Sequence, residues 1–387
     1  MKSWINTMLI VLLTHVALAQ TTPEAAVQAA LQHHPLTRVA ALEVQAKKYG
    51  EKAAINLPNP ELNVESPTGT FYAVGVLQSF EFPTVYTRQK QVAKAATALA
   101  IAGQRVSEND LRYTVRTLYL EAQVAEFQAV QWRQRDSLYR AIVAAAARQF
   151  SAGEIDYLQK ILAENEAGKV QQEWLATQQN VVSVRQQLAT YTGLQDLGKL
   201  LPLTPEILGL QLSTKAENNP SVAYDQQAVQ VAEKQVALAK SRALPNFSLG
   251  YLNQGERVTP IDYRFRASIG IPIWAGQYRA GANAAKSDAA AALARVEAQR
   301  QSISMEYQRV QVAAAAALVK VQYHQNEALP RSRSIIETAM RLRTAGQVDY
   351  VTFLRTIDEA FSIQQAYTEQ VAVLNQAWLQ MLYLSGN

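Results

Sequence analysis

Alternation of apolar and polar residues marks four short segments of the chain. In YRFRASIGI, Tyr263, Phe265, Ala267, Ile269 and Ile271 share one face of an extended strand, and Arg264, Arg266, Ser268 and Gly270 share the other. NFSLGY sets Phe247, Leu249 and Tyr251 against Asn246, Ser248 and Gly250. YAVGVLQSFEF keeps Tyr72, Val74, Val76, Phe80 and Phe82 in phase, with Gln78 as an exception, and ELNVES shows the weakest pattern. Strands are expected at 61–66, 72–82, 246–254 and 263–273. The other long segments read as helices: Glu24–Ile55, Thr84–Gln149, Tyr157–Tyr191, Ser221–Ala243, Ala280–Arg343 and Tyr350–Leu384. The first long helix has about 66 residues, roughly 99 Å, and the two shorter helices of that half sum to roughly 100 Å. In the second half the long helix is roughly 96 Å against a sum of roughly 87 Å. Two short helices stacked end to end nearly match each long one. That suits a tall wall of paired helices, whereas a compact globule uses helices of about 12 residues.

The same marks recur in order. SAGEIDY at Ser151–Tyr157 returns as TAGQVDY at Thr344–Tyr350, 193 residues later. Pro35 of HHP and Pro220 of NNP are 185 apart, Pro58 and Pro245 are 187 apart, and Pro83 and Pro272 are 189 apart. YTG at Tyr191–Gly193 matches LSG at Leu384–Gly386, again with an offset of 193. Chance does not keep such an order, so the chain reads as two homologous halves, 20–194 and 215–387, joined by a Pro- and Gly-containing linker at 195–214. Each half runs helix, two strands, long helix, turn, helix.

An apolar face backed by a polar one is the pattern of a membrane barrel strand. A soluble hairpin packed on a helix is the alternative. Aromatic residues near the strand ends (Tyr72, Phe82, Tyr251, Tyr263, Trp274) favour the barrel, as do charges on the opposite face, which need water. Four strands cannot close a barrel, whose smallest membrane versions have about eight. Strands that span a membrane here must therefore be shared between chains. The physics requires an oligomer without setting its number.

Composition sharpens this picture. Hydrophobic residues make up 49% of the 387, much of it alanine, which lets helices approach closely. The formal charge of +5 is spread along helical segments beside Glu and Gln, with no basic cluster interleaved with stacking aromatics, so nucleic-acid binding is not expected. The absence of cysteine excludes disulfides, zinc–thiolate sites, cysteine nucleophiles and lipidation at an N-terminal cysteine. Residues 1–19 have the form of a signal peptide: Lys2, an apolar stretch centred on Leu9–Leu13, and the small-x-small site Ala17-Leu18-Ala19. The mature chain is expected to begin at Gln20. Beyond that segment no run approaches the roughly 18 apolar residues of a spanning helix.

The repeated plan behind a signal peptide, with Asn219-Pro220, Leu244-Pro245, IGIPIWAGQYRA and the paired Ala-Gly turns, resembles the TolC family of outer-membrane efflux channels along the whole mature chain. The resemblance implies a mainly α fold with a small β part. Long antiparallel helices of a duplicated unit would form a periplasmic α-barrel, and four strands per chain would enter a 12-stranded outer-membrane β-barrel of a homotrimer. It also implies location in the outer membrane of a Gram-negative bacterium, contact with outer-membrane lipid, and two partners. These are a periplasmic adaptor and an inner-membrane pump of the resistance-nodulation-division class. NLPNPELNVES and LQSFEFPTVYTRQKQ are similar to the branch that exports heavy-metal cations, with an organic-compound duct of the same fold as the alternative.

Candidate site residues follow. Gly153 and Gly346 can end helices in the left-handed conformation, and Asp156 and Asp349 can cap the helices that follow. In the family such turns lie at the periplasmic tip, so Ser151, Ala152, Gly153 and Glu154 with Thr344, Ala345, Gly346 and Gln347 are the expected adaptor-docking residues. Some members carry acids six and nine positions after the second glycine. Thr352 and Arg355 stand there in this chain, and Asp349, Asp358 and Glu359 are nearby without one being singled out. Adjacent His33 and His34 diverge by about 100° on a helix, a poor chelate, so a helix-end role is expected and no metal site. Arg264 and Arg266 are candidates to line the lumen. No nucleophile motif, phosphate loop or metal-spaced cluster is present, so neither enzyme activity nor a cofactor is expected. A secreted helical scaffold without a pore remains the competing class.

Overall fold

The computed structural model describes residues 20–65, 73–206, 218–253 and 264–386. The signal-peptide segment, Tyr72, Tyr263 and most of the second half of the linker lie outside them. The elements run β1 (Gln20–Thr21), α1 (Pro23–His33), α2 (Pro35–Lys52), β2 (Glu61–Glu65), β3 (Ala73–Phe80), α3 (Pro83–Ser151), α4 (Tyr157–Thr192) and β4 (Lys199–Leu200). They continue with α5 (Pro220–Ser241), β5 (Asn246–Asn253), β6 (Phe265–Gly270), α6 (Ala275–Tyr323), a π-helical turn (His324–Ala328), α7 (Leu329–Thr344) and α8 (Tyr350–Ser385). The fold is mainly helical with a small β part. The order helix, two strands, long helix, turn, helix occurs twice along the chain.

Two helices expected to be continuous are not. The segment drawn as Glu24–Ile55 breaks at Pro35, because a proline ring pushes the preceding residue out of the helical region. His34 takes ψ 134° and becomes the N-cap of α2, its side chain accepting from the Leu36 amide. Asn219 repeats the device before Pro220, its side chain accepting from the Ser221 amide at 2.8 Å. The second break falls within the segment drawn as Ala280–Arg343, which begins earlier, at Ala275, and passes through the π turn before α7. Pro330 explains the interruption: it has no N–H for the carbonyl four residues back and its ring crowds that carbonyl, which a wider turn relieves. α3 runs unbroken for 69 residues.

The chain divides into two compact units. The first comprises residues up to His33, Thr114–Glu206 and Ala317–Gln376. Its first described strand is tied down. β1 pairs in parallel with β4, and the Tyr119 hydroxyl donates to the Thr21 carbonyl at 2.6 Å while accepting from the Leu201 amide at 2.8 Å. Arg185 pairs with Glu126, joining α4 to α3. A core of Tyr139, Ile142, Ala163, Tyr350, Phe353 and Ile357 draws on α3, α4 and α8.

The second unit comprises His34–Tyr113, Ile207–Ala316 and Ala377–Asn387. The last turn of α8 is anchored to it. The Asn109 side-chain amide donates to the Tyr383 carbonyl at 3.1 Å, the Asn219 amide donates to the Leu384 carbonyl at 3.0 Å, and the Tyr383 hydroxyl donates to Asp110 at 2.8 Å. The unit also holds an antiparallel four-stranded sheet of order β2-β3-β5-β6. Its central pairing joins Val76 to Tyr251 and Phe80 to Phe247. β6 stops before Pro272, which cannot donate to a ladder.

Candidate functional site

The two turns are built alike. α3 ends at Ser151 and Gly153 follows with φ 74°; α7 ends at Thr344 and Gly346 follows with φ 70°. The Gly153 amide donates to the Phe150 carbonyl at 3.0 Å and the Glu154 amide to the Gln149 carbonyl at 2.9 Å. In the second turn the Gly346 amide donates to Arg343 at 3.1 Å and the Gln347 amide to Leu342 at 2.9 Å. These are the paired bonds of a Schellman cap. A β-carbon added to either glycine meets nothing within 4 Å. Glycine is needed for the left-handed conformation, which costs other residues about 1–2 kcal/mol, and the space around each turn is open.

Asp156 accepts from the Gln159 amide at 2.8 Å and Asp349 from the Thr352 amide at 3.0 Å, so each aspartate caps the next helix. Hydrogen bonds from the Thr352 hydroxyl and amide hold the Asp349 carboxyl below the ordinary carboxylate range. Ser151, Ala152, Gly153 and Glu154 are all exposed, as are Thr344, Ala345, Gly346 and Gln347. The first unit brings the two turns together: Arg343 donates to Gln149 Oε1 at 3.2 Å and lies 4.8 Å over the Tyr350 ring.

Farther along α3 and α8 lies a group with no signal in the sequence. Asp358 accepts from Arg135 and from the Tyr139 hydroxyl, each at 2.5 Å. The Arg135 guanidinium sits 4.9 Å from the Trp132 ring and 5.1 Å from the Phe361 ring. Burial, then the bond to Asp358, raises the Tyr139 phenol far above its usual value. Thr352, Arg355 and Glu359 are exposed. The three described histidines sit at helix ends or within a turn. His34 caps α2, and His33 ends α1 beside Gly193, where an added β-carbon would come within 2.9 Å. His324 opens the π turn with its ring 5.6 Å from Tyr323 and 6.4 Å from Tyr367. Among the described residues no three His, Asp or Glu side chains are grouped to hold a metal.

The sheet has two unlike faces. Residues directly opposite in a ladder share a face. Leu62 faces Val76, Val76 faces Tyr251, and Tyr251 faces Phe265; Leu249 lies between Gln78 and Ala267, and Phe247 between Phe80 and Ile269. One apolar face therefore crosses all four strands. It is open: Leu249 is 58% exposed, Ile269 63% and Phe265 70%. Trp274, beyond β6, is 74% exposed. Gln78, the exception in the apolar pattern, has its amide bonded to the Pro58 carbonyl at 2.6 Å.

The opposite face carries Glu61, Asn63, Ser79, Ser248, Ser268 and Arg266, with a 3.0 Å bond between the Ser248 and Ser268 hydroxyls. Arg266 is exposed and lies opposite Gly250; Arg264, just before β6, donates to the Tyr251 hydroxyl at 3.2 Å. A β-carbon on Gly250 would come within 2.9 Å of the Val76 carbonyl oxygen and of Leu77. Among the described residues the outer edges of β2 and β6 pair with nothing, and no helix is long and apolar enough to cross a membrane.

No family model matches the sequence, and no curated protein matches it significantly. Structure is more telling. The chain has the fold of the TolC-family outer-membrane efflux channels. CusC, a transmembrane channel, is 17% identical, covers 94% of this chain over 92% of its own, and superposes with a TM-score of 0.77. The CmeC outer membrane channel of Campylobacter jejuni is 13% identical over 94% of this chain and 85% of its own, with a TM-score of 0.78. The MtrE outer membrane channel of Neisseria gonorrhoeae, in its open state, is 15% identical over 94% and 89%, with a TM-score of 0.70.

Proposed function

We propose that the chain is the outer-membrane channel of a tripartite efflux system, a passive exit duct fed by an inner-membrane resistance-nodulation-division pump through a periplasmic adaptor. The observation that carries this reading is the four-stranded sheet with an exposed apolar face, a mostly polar opposite face and outer edges that pair with nothing among the described residues. Left alone in water such a sheet exposes both apolar surface and ladder groups. Three copies, each adding its β6 edge to the next copy's β2 edge, close a 12-stranded barrel. The apolar face then meets lipid and Arg266 lies on the water-filled side, whereas Arg264, whose guanidinium reaches the Tyr251 hydroxyl on the apolar face, sits at the strand end.

The helices support a ring of copies. α4 buries Ala163, Val170 and Val184, while Ile161, Leu175 and Val182 are exposed. Ile161 and Val182 each stand two positions before a buried residue, about 160° around the helix from it, and Leu175 stands five after Val170, about 140° around, so α4 has apolar seams on roughly opposite faces. One seam serves its own chain and the other is free for a neighbouring copy. The halves 20–194 and 215–387, joined by 195–214, are read as a duplicated unit. The helices would extend into the periplasm, with the exposed turns docking the adaptor.

The channel reading is tested by reconstituting the purified, detergent-solubilised oligomer into a planar lipid bilayer. Discrete conductance steps are expected; a correctly assembled oligomer that never conducts would leave the non-pore scaffold as the better account. Docking is tested at Gly346. Gly346→Trp should reduce efflux at least tenfold while the oligomer still assembles in the outer membrane, because the turn loses its open surface and its left-handed geometry. Normal efflux by the assembled variant would remove these turns from the adaptor contact.

Heavy-metal cations are the proposed cargo, on the likeness of NLPNPELNVES and LQSFEFPTVYTRQKQ to that branch. A deletion strain should lose tolerance to copper, silver, zinc, cobalt or cadmium. Unchanged metal tolerance with raised sensitivity to organic compounds would assign the duct to drugs.

A further inference from the structure

The first unit arranges four helices in sequence. Arg185 of α4 pairs with Glu126 of α3, Arg135 of α3 pairs with Asp358 of α8, and the Ser332 hydroxyl of α7 donates to the Ala360 carbonyl of α8 at 2.8 Å. The order is α4, α3, α8, α7, which leaves α4 and α7 at its two ends. Both end helices carry surface positions at a spacing of seven. In α4 these are Ile161, Gly168, Leu175 and Val182, all exposed, with Leu158 one turn before them. In α7 they are the half-buried Ile335 and the exposed Leu342. A strict seven-residue repeat marks a seam that another helix covers.

Gly168 is a second mark on α4. Glycine weakens a helix interior, and a β-carbon there would meet nothing within 4 Å, so its own chain gives no reason for the missing side chain. A gap in the seam suits the close approach of a second helix. On α7 the counterpart is a groove of about 600 Å³ shared with α8, whose lining includes Ile335, Thr338, Leu342, Val348 and Phe353. The charges also match. Residues 154–175 carry five acids and two lysines, whereas α7 carries four arginines and one glutamate. Opposite signs favour α4 against α7 and oppose α7 against α7.

We propose that α4 of one copy lies in the α7–α8 groove of the next copy. This rests on the reading of the chain as a ring of copies and adds which faces meet, and in what register. The contact joins unlike surfaces, so it is head-to-tail, as a closed ring requires. Rotation about an axis along the helices keeps heights, and the bond from Arg343 to Gln149 holds the two turns of a chain level. Leu342 and Ile335 stand 4 and 11 residues from Gly346, at the heights of Tyr157 and Glu164 counted from Gly153. Leu342 therefore enters the hole bounded by Glu154, Tyr157, Leu158 and Ile161. Ile335 enters the next one, bounded by Ile161, Glu164, Asn165 and Gly168.

The chain has no cysteine, so introduced pairs report contacts without background. Leu158→Cys with Leu342→Cys, and Asn165→Cys with Ile335→Cys, are made in the full-length chain. The assembled oligomer is oxidised in detergent and run on a non-reducing denaturing gel. Each pair should convert at least half of the chains to covalent multimers that end at three copies. Val182→Cys with Leu342→Cys, in the same seam but roughly 38 Å apart in height, should link less than a tenth as much. An assembled oligomer in which neither close pair links overturns the proposal and leaves the groove to another occupant. A bridge within one chain, seen as a shifted monomer band, overturns it too, as does equal linking by all three pairs. Gly168→Leu, whose β-carbon meets nothing in its own chain, should at least halve the yield of denaturant-resistant oligomer. That variant decides if the cysteine variants do not assemble, and an unchanged yield then overturns the contact. A linked ring that never conducts would defeat the channel reading and leave this contact standing.

Discussion

Leu249→Arg should remove the protein from the outer-membrane fraction while the helical content of the detergent-solubilised chain stays unchanged. Leu249 is in the middle of β5, on the face that crosses all four strands, and it is exposed in the single chain. An arginine facing lipid near the bilayer midplane costs about 2–4 kcal/mol. A closed ring of three copies would incur that cost three times. Ser248→Arg is the control, one residue away on the opposite face, beside Ser268 in the ladder. It should insert normally and alter conductance. The comparison is read by membrane fractionation and heat-modifiable oligomer bands. Equal insertion of both variants would show that the apolar face does not meet lipid.

The second large effect is expected at Asp358. Asp358→Ala leaves the Arg135 guanidinium among Trp132, Tyr139 and Phe361 with no counter-charge, and leaves the Tyr139 hydroxyl with no acceptor. Breaking a fully buried pair costs about 3–5 kcal/mol. The Arg135 side chain is 14% exposed but that of Asp358 is 41% exposed, so solvent reduces the penalty to about 2–3 kcal/mol. The thermal midpoint should fall by several degrees. The double variant Arg135→Met with Asp358→Leu removes both charges and should recover the part of the loss that comes from the unpaired guanidinium, while the Tyr139 hydroxyl stays without its acceptor. A double variant no more stable than Asp358→Ala would assign the effect to packing and the lost Tyr139 bond instead of charge.

Local devices are legible in the sequence, and long-range ones are not. Period-two alternation at Phe247, Leu249 and Tyr251 survives because the two faces of the strand have opposite surroundings. Gly346 and Asp349 announce a helix end and a helix start because each acts through its own backbone neighbours. Pro35 was visible too, yet the apolar pattern continues on both sides of it and hides the break. Pro330 was equally visible, but a π turn preserves helical appearance on either side and leaves no change of period to notice. Arg135 and Asp358 stand 223 positions apart in the chain. No spacing rule links them, and only the pairing of α3 with α8 brings them into contact. The same holds for Arg343 and Gln149, 194 positions apart, whose hydrogen bond exists only because α3 packs against α7.

The sheet sets a timetable for maturation. β3 finds its second neighbour only in β5, with Val76 opposite Tyr251, 175 residues downstream. Until the second half of the chain has arrived, the hairpin of β2 and β3 has an open edge on both sides and an apolar face without cover. Loop closure over that distance must come before the central ladder forms, which makes it a late and slow event. The first half of a nascent chain is thus the vulnerable half, open to proteases and to pairing with the wrong strand. Truncation anywhere before β5 should yield rapid degradation, not a partial channel.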